Sequence, residues 1–204
     1  YPDDGIIFDV STLKSSKISE HNRYSGINIS IQGVLDKTKI TVRIDIGFGD
    51  TVCPEPVVMK YPTLLNQLAP VIQTYSKESI IAEKFEAIVS LGKANSRMKD
   101  FYDIYVMLNS FTFQSGILVK ALKGTFANRK TSYDSISAFQ ANFLEDMNRK
   151  KMWAAFLKNK MIGQVLSFKE VIEQIREFLL PIVDMMKQSD TIDLLWDSND
   201  KIWK

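Results

Sequence analysis

Between residues 27 and 46 the chain alternates with a period of two, and this pattern constrains the fold more than any other feature. Ile27, Ile29, Ile31, Gly33 and Leu35 are separated by Asn28, Ser30, Gln32 and Val34. After Asp36-Lys37, residues Ile40, Val42, Ile44 and Ile46 are separated by Thr41, Arg43 and Asp45. Successive side chains of a strand point to opposite faces, so two alternating runs around a short polar break predict a hairpin. A two-residue loop at Asp36-Lys37 pairs Leu35 with Thr38, Ile31 with Val42 and Ile29 with Ile44. It also sets Ser30 opposite Arg43 and Asn28 opposite Asp45. The pairs sort into an apolar face and a polar face; a slip of one residue would mix them, which specifies the register. The turn itself lacks the Asn-Gly or Asp-Gly that such loops favour.

The pattern then changes twice. Gly47-Phe48-Gly49-Asp50 ends the second strand, and Pro54, Pro56, Pro62 and Pro70 interrupt the chain, leaving room only for a short strand at Val57–Lys60. From Ser76 the period is helical. Ser76 is a capping residue with Glu78 in the first turn, and Ile80, Ile81, Phe85, Ile88 and Val89 form a stripe that stops near Gly92. Further helices are expected over residues 97–109, 116–127, 135–149, 152–160 and 168–186, with Pro181 kinking the last or ending its first part near Leu180. Trp196 and Trp203 read as anchors of the tail to the core. These elements predict an α+β chain: a sheet region over residues 1–75 and a larger helical lobe over residues 76–204.

Composition excludes several chemistries. No apolar run approaches the ~18 residues that cross a membrane, so no membrane partner is expected. With one cysteine, Cys53, and one histidine, His21, a disulfide framework is impossible and a Cys/His zinc site nearly so. His21 sits in the polar stretch Ser19-Glu20-His21-Asn22-Arg23 and reads as a surface residue. The single thiol suits a reducing cytoplasm. The net charge of +2 does not announce a nucleic-acid binder. Cations nevertheless cluster at Lys120, Lys123, Arg129 and Lys130, and again at Arg149-Lys150-Lys151 with Lys158 and Lys160. Such clusters are either solvated helical faces or surfaces for phosphates.

Three places carry candidate chemistry. Asp45 is an aspartate on the polar face of a β-branched strand, where propensity disfavours it, and it is held there by Arg43 and Asn28 or by a function. Glu83-Lys84 lies on the flank of the first helical stripe. In Asn95-Ser96-Arg97-Met98-Lys99-Asp100-Phe101-Tyr102-Asp103, Asp100 and Asp103 are three apart and share one helix face. Lys99 lies four before Asp103 and Arg97 three before Asp100, so the two carboxylates sit among cations either as an ion-paired helix start or as a site.

Together these blocks resemble the AbiEii/AbiGii toxin family of nucleotidyltransferase-fold proteins. The resemblance runs from Tyr24-Ser25-Gly26 through Asp45-Ile46-Gly47-Phe48-Gly49-Asp50, Tyr61-Pro62-Thr63-Leu64-Leu65, Tyr75, Glu78 and Ala82-Glu83-Lys84. It continues through the block from Asn95 to Asp103 and ends at Thr125-Phe126 and Arg129. It implies that the sheet is part of a nucleotidyltransferase fold, small and antiparallel or mixed, packed on the helical lobe. It implies transfer of a nucleotide from a nucleoside triphosphate to an acceptor, a transfer RNA or a protein hydroxyl, by the toxin half of a toxin–antitoxin or abortive-infection pair. A cognate antitoxin protein is the implied partner.

By similarity Asp45, Lys84 and Asp100 are the catalytic residues, and Asp45 is also a metal ligand. Lys99, Asp103, Arg97 and Arg129 are the substrate- or nucleotide-binding residues. Magnesium is the implied cofactor. The family's glycine loop and Asp-x-Asp pair are not found in this chain, which starts at Tyr1 without an initiator methionine. They are expected to precede Tyr1, with magnesium bound only by the full-length protein and the 204-residue chain inactive alone. The chemistry is coherent: divalent metals offset phosphate charge, carboxylates hold magnesium, a lysine meets a triphosphate as a point charge, and an aspartate orients or deprotonates an acceptor hydroxyl. Two other readings remain: a non-catalytic module that binds protein or RNA, and a metal nuclease built on Asp45, Glu55 and Lys60, which Pro54 and Pro56 disfavour.

Overall fold

The structure is a computed structural model that describes residues 5–18, 26–49, 52–65, 68–163, 166–188 and 192–204. Asp3, Asp4, His21, Tyr24, Ser25 and Asp50 lie outside the described residues. The chain is α+β, with small antiparallel sheets and a larger helical part, and it divides into two compact units, Tyr1–Asp50 and Thr51–Lys204.

The first unit is a three-stranded antiparallel sheet in the order β1-β2-β3, made of Ile6–Ile18, Gly26–Leu35 and Thr38–Gly47. The β2–β3 register is the one the alternation specifies: Leu35 faces Thr38, Ile31 faces Val42, Ile29 faces Ile44 and Asn28 faces Asp45. The turn solves its missing glycine with Asp36 at φ 53, a left-handed conformation that aspartate tolerates better than most residues. Strand β1 was not legible because its pairing is interrupted. Asp9 faces Gln32 but Lys14 already faces Ser30, so a bulge absorbs the residues between them. Inside it the Gln32 N–H donates to Thr12 Oγ1 at 2.9 Å, so the displaced ladder donor stays satisfied.

The second unit starts with a hairpin, β4 (Val57–Lys60) and β5 (Val71–Thr74), of which only the first strand was expected. Its helices are α1 (Lys77–Leu91), α2 (Met98–Ser110), α3 (Ser115–Arg129), the short α4 (Ala141–Leu144), α5 (Met147–Asn159) and α6 (Phe168–Lys187). The Ser79 N–H donates to the Ser76 side chain at 3.0 Å, capping α1 as expected, and Gly92 ends it at φ 50, where a side chain would be strained. The stripes converge on one core: Ile81, Phe85 and Ile88 of α1, Phe101, Ile104 and Leu108 of α2, Leu118, Leu122 and Phe126 of α3, and Ile175, Phe178 and Ile182 of α6. Each such side chain stabilises the unit by roughly 1.5–3 kcal/mol relative to exposure.

Strands β6 (Phe113–Gln114), β7 (Leu195–Asp197) and β8 (Ile202–Trp203) close this core from one side. The tail is anchored as expected. Trp196 is buried against Phe178 at 4.9 Å between ring centroids and donates to the Leu108 carbonyl, while Trp203 stacks on the same ring and donates to the Phe178 carbonyl.

One expectation is corrected. The helix expected over 135–149 is instead a 3-10 turn at Ser137–Phe139 followed by α4, and a new helix starts at Met147. Asp146 caps that helix, its carboxylate accepting from the Arg149 N–H at 2.9 Å, so the helix starts five residues earlier than the expected start at 152. The helix expected over 168–186 is present as α6, which is continuous through Pro181 to Lys187 and does not end near Leu180. Pro181 is half-exposed, so the carbonyl it leaves without a donor can meet water, while the buried Phe178, Leu179, Ile182 and Val183 hold both sides of the helix to the core.

Candidate functional site

The short connection from α1 to α2 makes the two helices neighbours, and their facing flanks carry opposite charge. The Asn95 side chain accepts from the Arg97 N–H at 2.8 Å, fixing the chain just before α2, so that Asp100 enters in the first turn and Asp103 lies one turn on. Lys84 reaches both from α1. Its Nζ lies 3.1 Å from Asp100 Oδ1 and 2.6 Å from Asp103 Oδ2. Two further cations close the cluster: Arg97 Nε is 2.7 Å from Asp100 Oδ2, and Lys99 Nζ is 2.5 Å from Asp103 Oδ2.

Burial is graded across the cluster. The Asp100 side chain is 3% exposed and those of Lys84 and Asp103 about a fifth, whereas Arg97 and Lys99 are 58% and 67% exposed. Burial alone would lower the Lys84 pKa. The hydrogen bonds to Asp103 and Asp100, with their charge, outweigh it and raise the pKa above the ordinary lysine value. Burial would likewise raise that of Asp103, but bonds to Lys84 and Lys99 hold it below the ordinary carboxylate value. Three cations surround two carboxylates, leaving an excess of one positive charge toward solvent. Beside the cluster, the start of α2 and the end of α5 line a groove of about 540 Å³, with Arg97, Lys99 and Lys160 as cations and Met152 and Phe156 as apolar lining. Lys160 belongs to the second cation cluster noted in the sequence, whereas Met152 and Phe156 carried no signal there, because only the fold brings α5 beside α2.

The other expected residues occupy different settings. Arg129, at the end of α3, ion-pairs with Glu83 and places Nη1 2.6 Å from Glu86 Oε2. Glu86 is buried, and its second oxygen accepts from the Thr131 hydroxyl at 2.5 Å. The spacing of Glu83 and Glu86 on the α1 face turned toward α3 was the available signal for this bridge. Asp45 lies in the first unit, exposed on β3, with Oδ1 accepting from Asn28 Nδ2 at 2.6 Å. Of the two restraints considered for it, Asn28 is the one that bonds it.

A magnesium ion needs several oxygen ligands. Among the described residues no group of three or more His, Cys, Asp or Glu side chains could hold a metal ion. Asp100 and Asp103 are already compensated by more positive charge than they carry, which opposes a dication. The described residues therefore do not by themselves make a magnesium site.

The α+β architecture with small antiparallel sheets is consistent with a nucleotidyltransferase-like fold. The family model described as "Nucleotidyl transferase AbiEii toxin, Type IV TA system" matches residues 3–174, and the chain belongs to this family of toxins from type IV toxin–antitoxin systems. Comparison with curated proteins and with solved structures gave no match. Among the described residues no helix is long and apolar enough to cross a membrane.

Proposed function

We propose that this chain contributes the phosphate-facing half of a site that transfers a nucleotide from a nucleoside triphosphate to an RNA or protein acceptor, the activity being held in check by a cognate antitoxin. The observation that carries the reading is the Lys84–Asp100–Asp103 cluster with its exposed cationic rim. In such a transfer an acceptor oxygen attacks the α-phosphorus and pyrophosphate leaves, so negative charge has to be met on the phosphate oxygens. A net-positive cluster suits that task. Asp100 and Asp103 aim Lys84 and keep it as an ammonium, while Arg97 and Lys99 have the reach and exposure to follow a triphosphate.

The test incubates the toxin, expressed from its complete reading frame, with labelled nucleoside triphosphates, magnesium, total RNA and lysate. Transfer of label is expected to fall to background in Lys84→Met and in Asp100→Asn, with helical content by circular dichroism unchanged in at least one of them. Wild-type label transfer in a folded Lys84→Met variant would remove the cluster from the site, and no labelled product from the unaltered toxin would sink the transferase reading.

A further inference from the structure

The face that α5 turns toward α2 follows one helical spacing. Met152, Ala155, Phe156, Asn159 and Lys160 recur at three and four residues and line the groove from one side, while the start of α2 lines it from the other. The Phe156 ring is held in place within this face. It stacks on Trp153 at 5.7 Å between centroids with the planes 30° apart, and Tyr102 packs against it from α2, also at 5.7 Å. Trp153 is itself buried and donates to the Leu166 carbonyl at 3.2 Å. The half-buried ring is therefore oriented before any ligand arrives, and Ala155 beside it is too small to fill the groove.

The two sides of the groove differ in polarity. On the α2 side stand Arg97 and Lys99, the exposed cations of the Lys84 cluster. On the α5 side, Met152 and Phe156 present an apolar surface, followed by Asn159 and Lys160. Among the described residues, neither the Asn159 nor the Lys160 side chain has a hydrogen-bonding or ion-pair partner. The Asn159 amide can both donate and accept, and none of that capacity is used within the fold. A free phosphate would make no use of the apolar surface, and an apolar ligand none of the cations. A nucleoside phosphate uses both, with a flat base for the ring and polar edges for the amide.

We propose that this groove seats the base of the nucleoside triphosphate, an inference that rests on the transferase reading. The base lies against Phe156 and Met152, its edge meets the Asn159 amide, and the phosphates run toward Arg97, Lys99 and the positive excess around Lys84. Stacking on an aromatic ring accepts any base, because every base has a π-face. An amide that donates and accepts distinguishes one base edge from another. Phe156 therefore sets affinity and Asn159 sets the choice of base. The groove offers a single aromatic ring, with its cations gathered beside that ring, so it suits one nucleotide rather than a run of bases along RNA. Every residue of this seat lies in the second unit.

Titration calorimetry tests this on the toxin expressed from its complete reading frame, in magnesium, with each of the four nucleoside triphosphates and with inorganic tripolyphosphate. The parent binds its preferred nucleotide more tightly than tripolyphosphate. Phe156→Ala weakens that nucleotide roughly 10-fold or more and leaves tripolyphosphate unchanged, whereas Phe156→Tyr, which keeps the ring, binds both as the parent does. Asn159→Ala, a change at an exposed position, narrows the spread of affinities among the four nucleotides. Lys84→Met weakens nucleotides and tripolyphosphate alike. If Phe156→Ala binds its nucleotide like the parent while Lys84→Met does not, the seat is wrong and the transferase reading stands. If the parent binds neither nucleotides nor tripolyphosphate, that reading fails and the seat with it. Tripolyphosphate bound as tightly as any nucleotide, equal losses of both ligands in Phe156→Ala, or a loss confined to RNA binding, which would give the groove to the acceptor, would each overturn the proposal.

Discussion

Arg129 separates a structural role from a ligand-binding one, and replacing it with methionine makes the distinction measurable. Methionine keeps most of the aliphatic stem and removes the guanidinium. Glu86 is 2% exposed, so its carboxylate would lose its cation inside the protein and keep only the Thr131 hydroxyl among the bonds described above. Removing one partner of a buried ion pair costs about 3–5 kcal/mol, because the remaining charge is left uncompensated. Glu83 is about a quarter exposed and water can take over its solvation, so it adds little. The expected loss is therefore about 3–4 kcal/mol, or roughly 6–15 °C in the melting temperature of a unit this size. Trp153, Trp196 and Trp203 all lie in the second unit, so intrinsic fluorescence during urea unfolding follows that unit alone. The double variant E86Q/R129M should regain more than half of the loss, since a neutral amide can still accept from Thr131 and no charge is stranded. A loss below about 1 kcal/mol for Arg129→Met, the range of an exposed pair, would refute the argument and return Arg129 to the list of residues free to meet a nucleotide.

The pH dependence of the Lys84 cluster has a definite sign at each end. Asp103 has a lowered pKa in the fold, so its contribution is present above the unfolded value of 3.8 and lost as pH falls through the folded value; Lys84 has a raised one, so its contribution is present below 10.5 and lost as pH rises through the folded value. The stability gap between the parent and Lys84→Met, measured by urea unfolding, should thus be flat around neutral pH and narrow at both extremes, and a gap that widened toward acid would contradict the pairing. At α6, Ser167 and Glu170 form a reciprocal cap, with the Ser167 N–H donating to Glu170 Oε2 at 2.8 Å. Ser167→Ala should cost about 1 kcal/mol in the same assay, and no measurable change would mean that the tertiary contacts of α6 alone fix its start.

What could be read in advance follows from where the information lies. The β2–β3 register was legible because every pair from Gly26–Gly47 to Leu35–Thr38 obeys one rule of alternation. β1 was not, since the bulge shifts its faces midway and no single period survives from Ile6 to Ile18. The helical stripes of α1, α2 and α6 were legible for the same reason as the hairpin. The segment from Thr131 to Asp146 was not, because its shape depends on contacts distant in sequence, such as Phe139 against Phe85 at 6.0 Å and Arg149 over the Phe143 ring at 4.0 Å. At the site, the i to i+3 and i to i+4 spacings announced that Arg97, Lys99, Asp100 and Asp103 are neighbours. That Lys84 would complete them depended on α1 lying beside α2, for which the short connection between the helices was the only local clue.

The energetics of the cluster also limit what its residues can do in a reaction. A general acid or base works best when its pKa lies near the working pH. Lys84 is displaced from neutrality in one direction and Asp103 in the other, each by the partner it faces. Neither is poised to exchange a proton near pH 7: the ammonium stays charged because two carboxylates hold it, and the carboxylate stays charged because two ammonium groups hold it. Such a pair acts as fixed charge, with its orientation set in advance and no reorganisation required when a substrate arrives. The buried carboxylate of Asp100 serves the same end from below, pinning Lys84 and Arg97 from opposite sides so that the positive excess faces outward. In the transfer proposed above, such a site would stabilise charge that develops on phosphate oxygens, and the proton of the acceptor would have to leave by way of a group outside the Lys84–Asp103 pair.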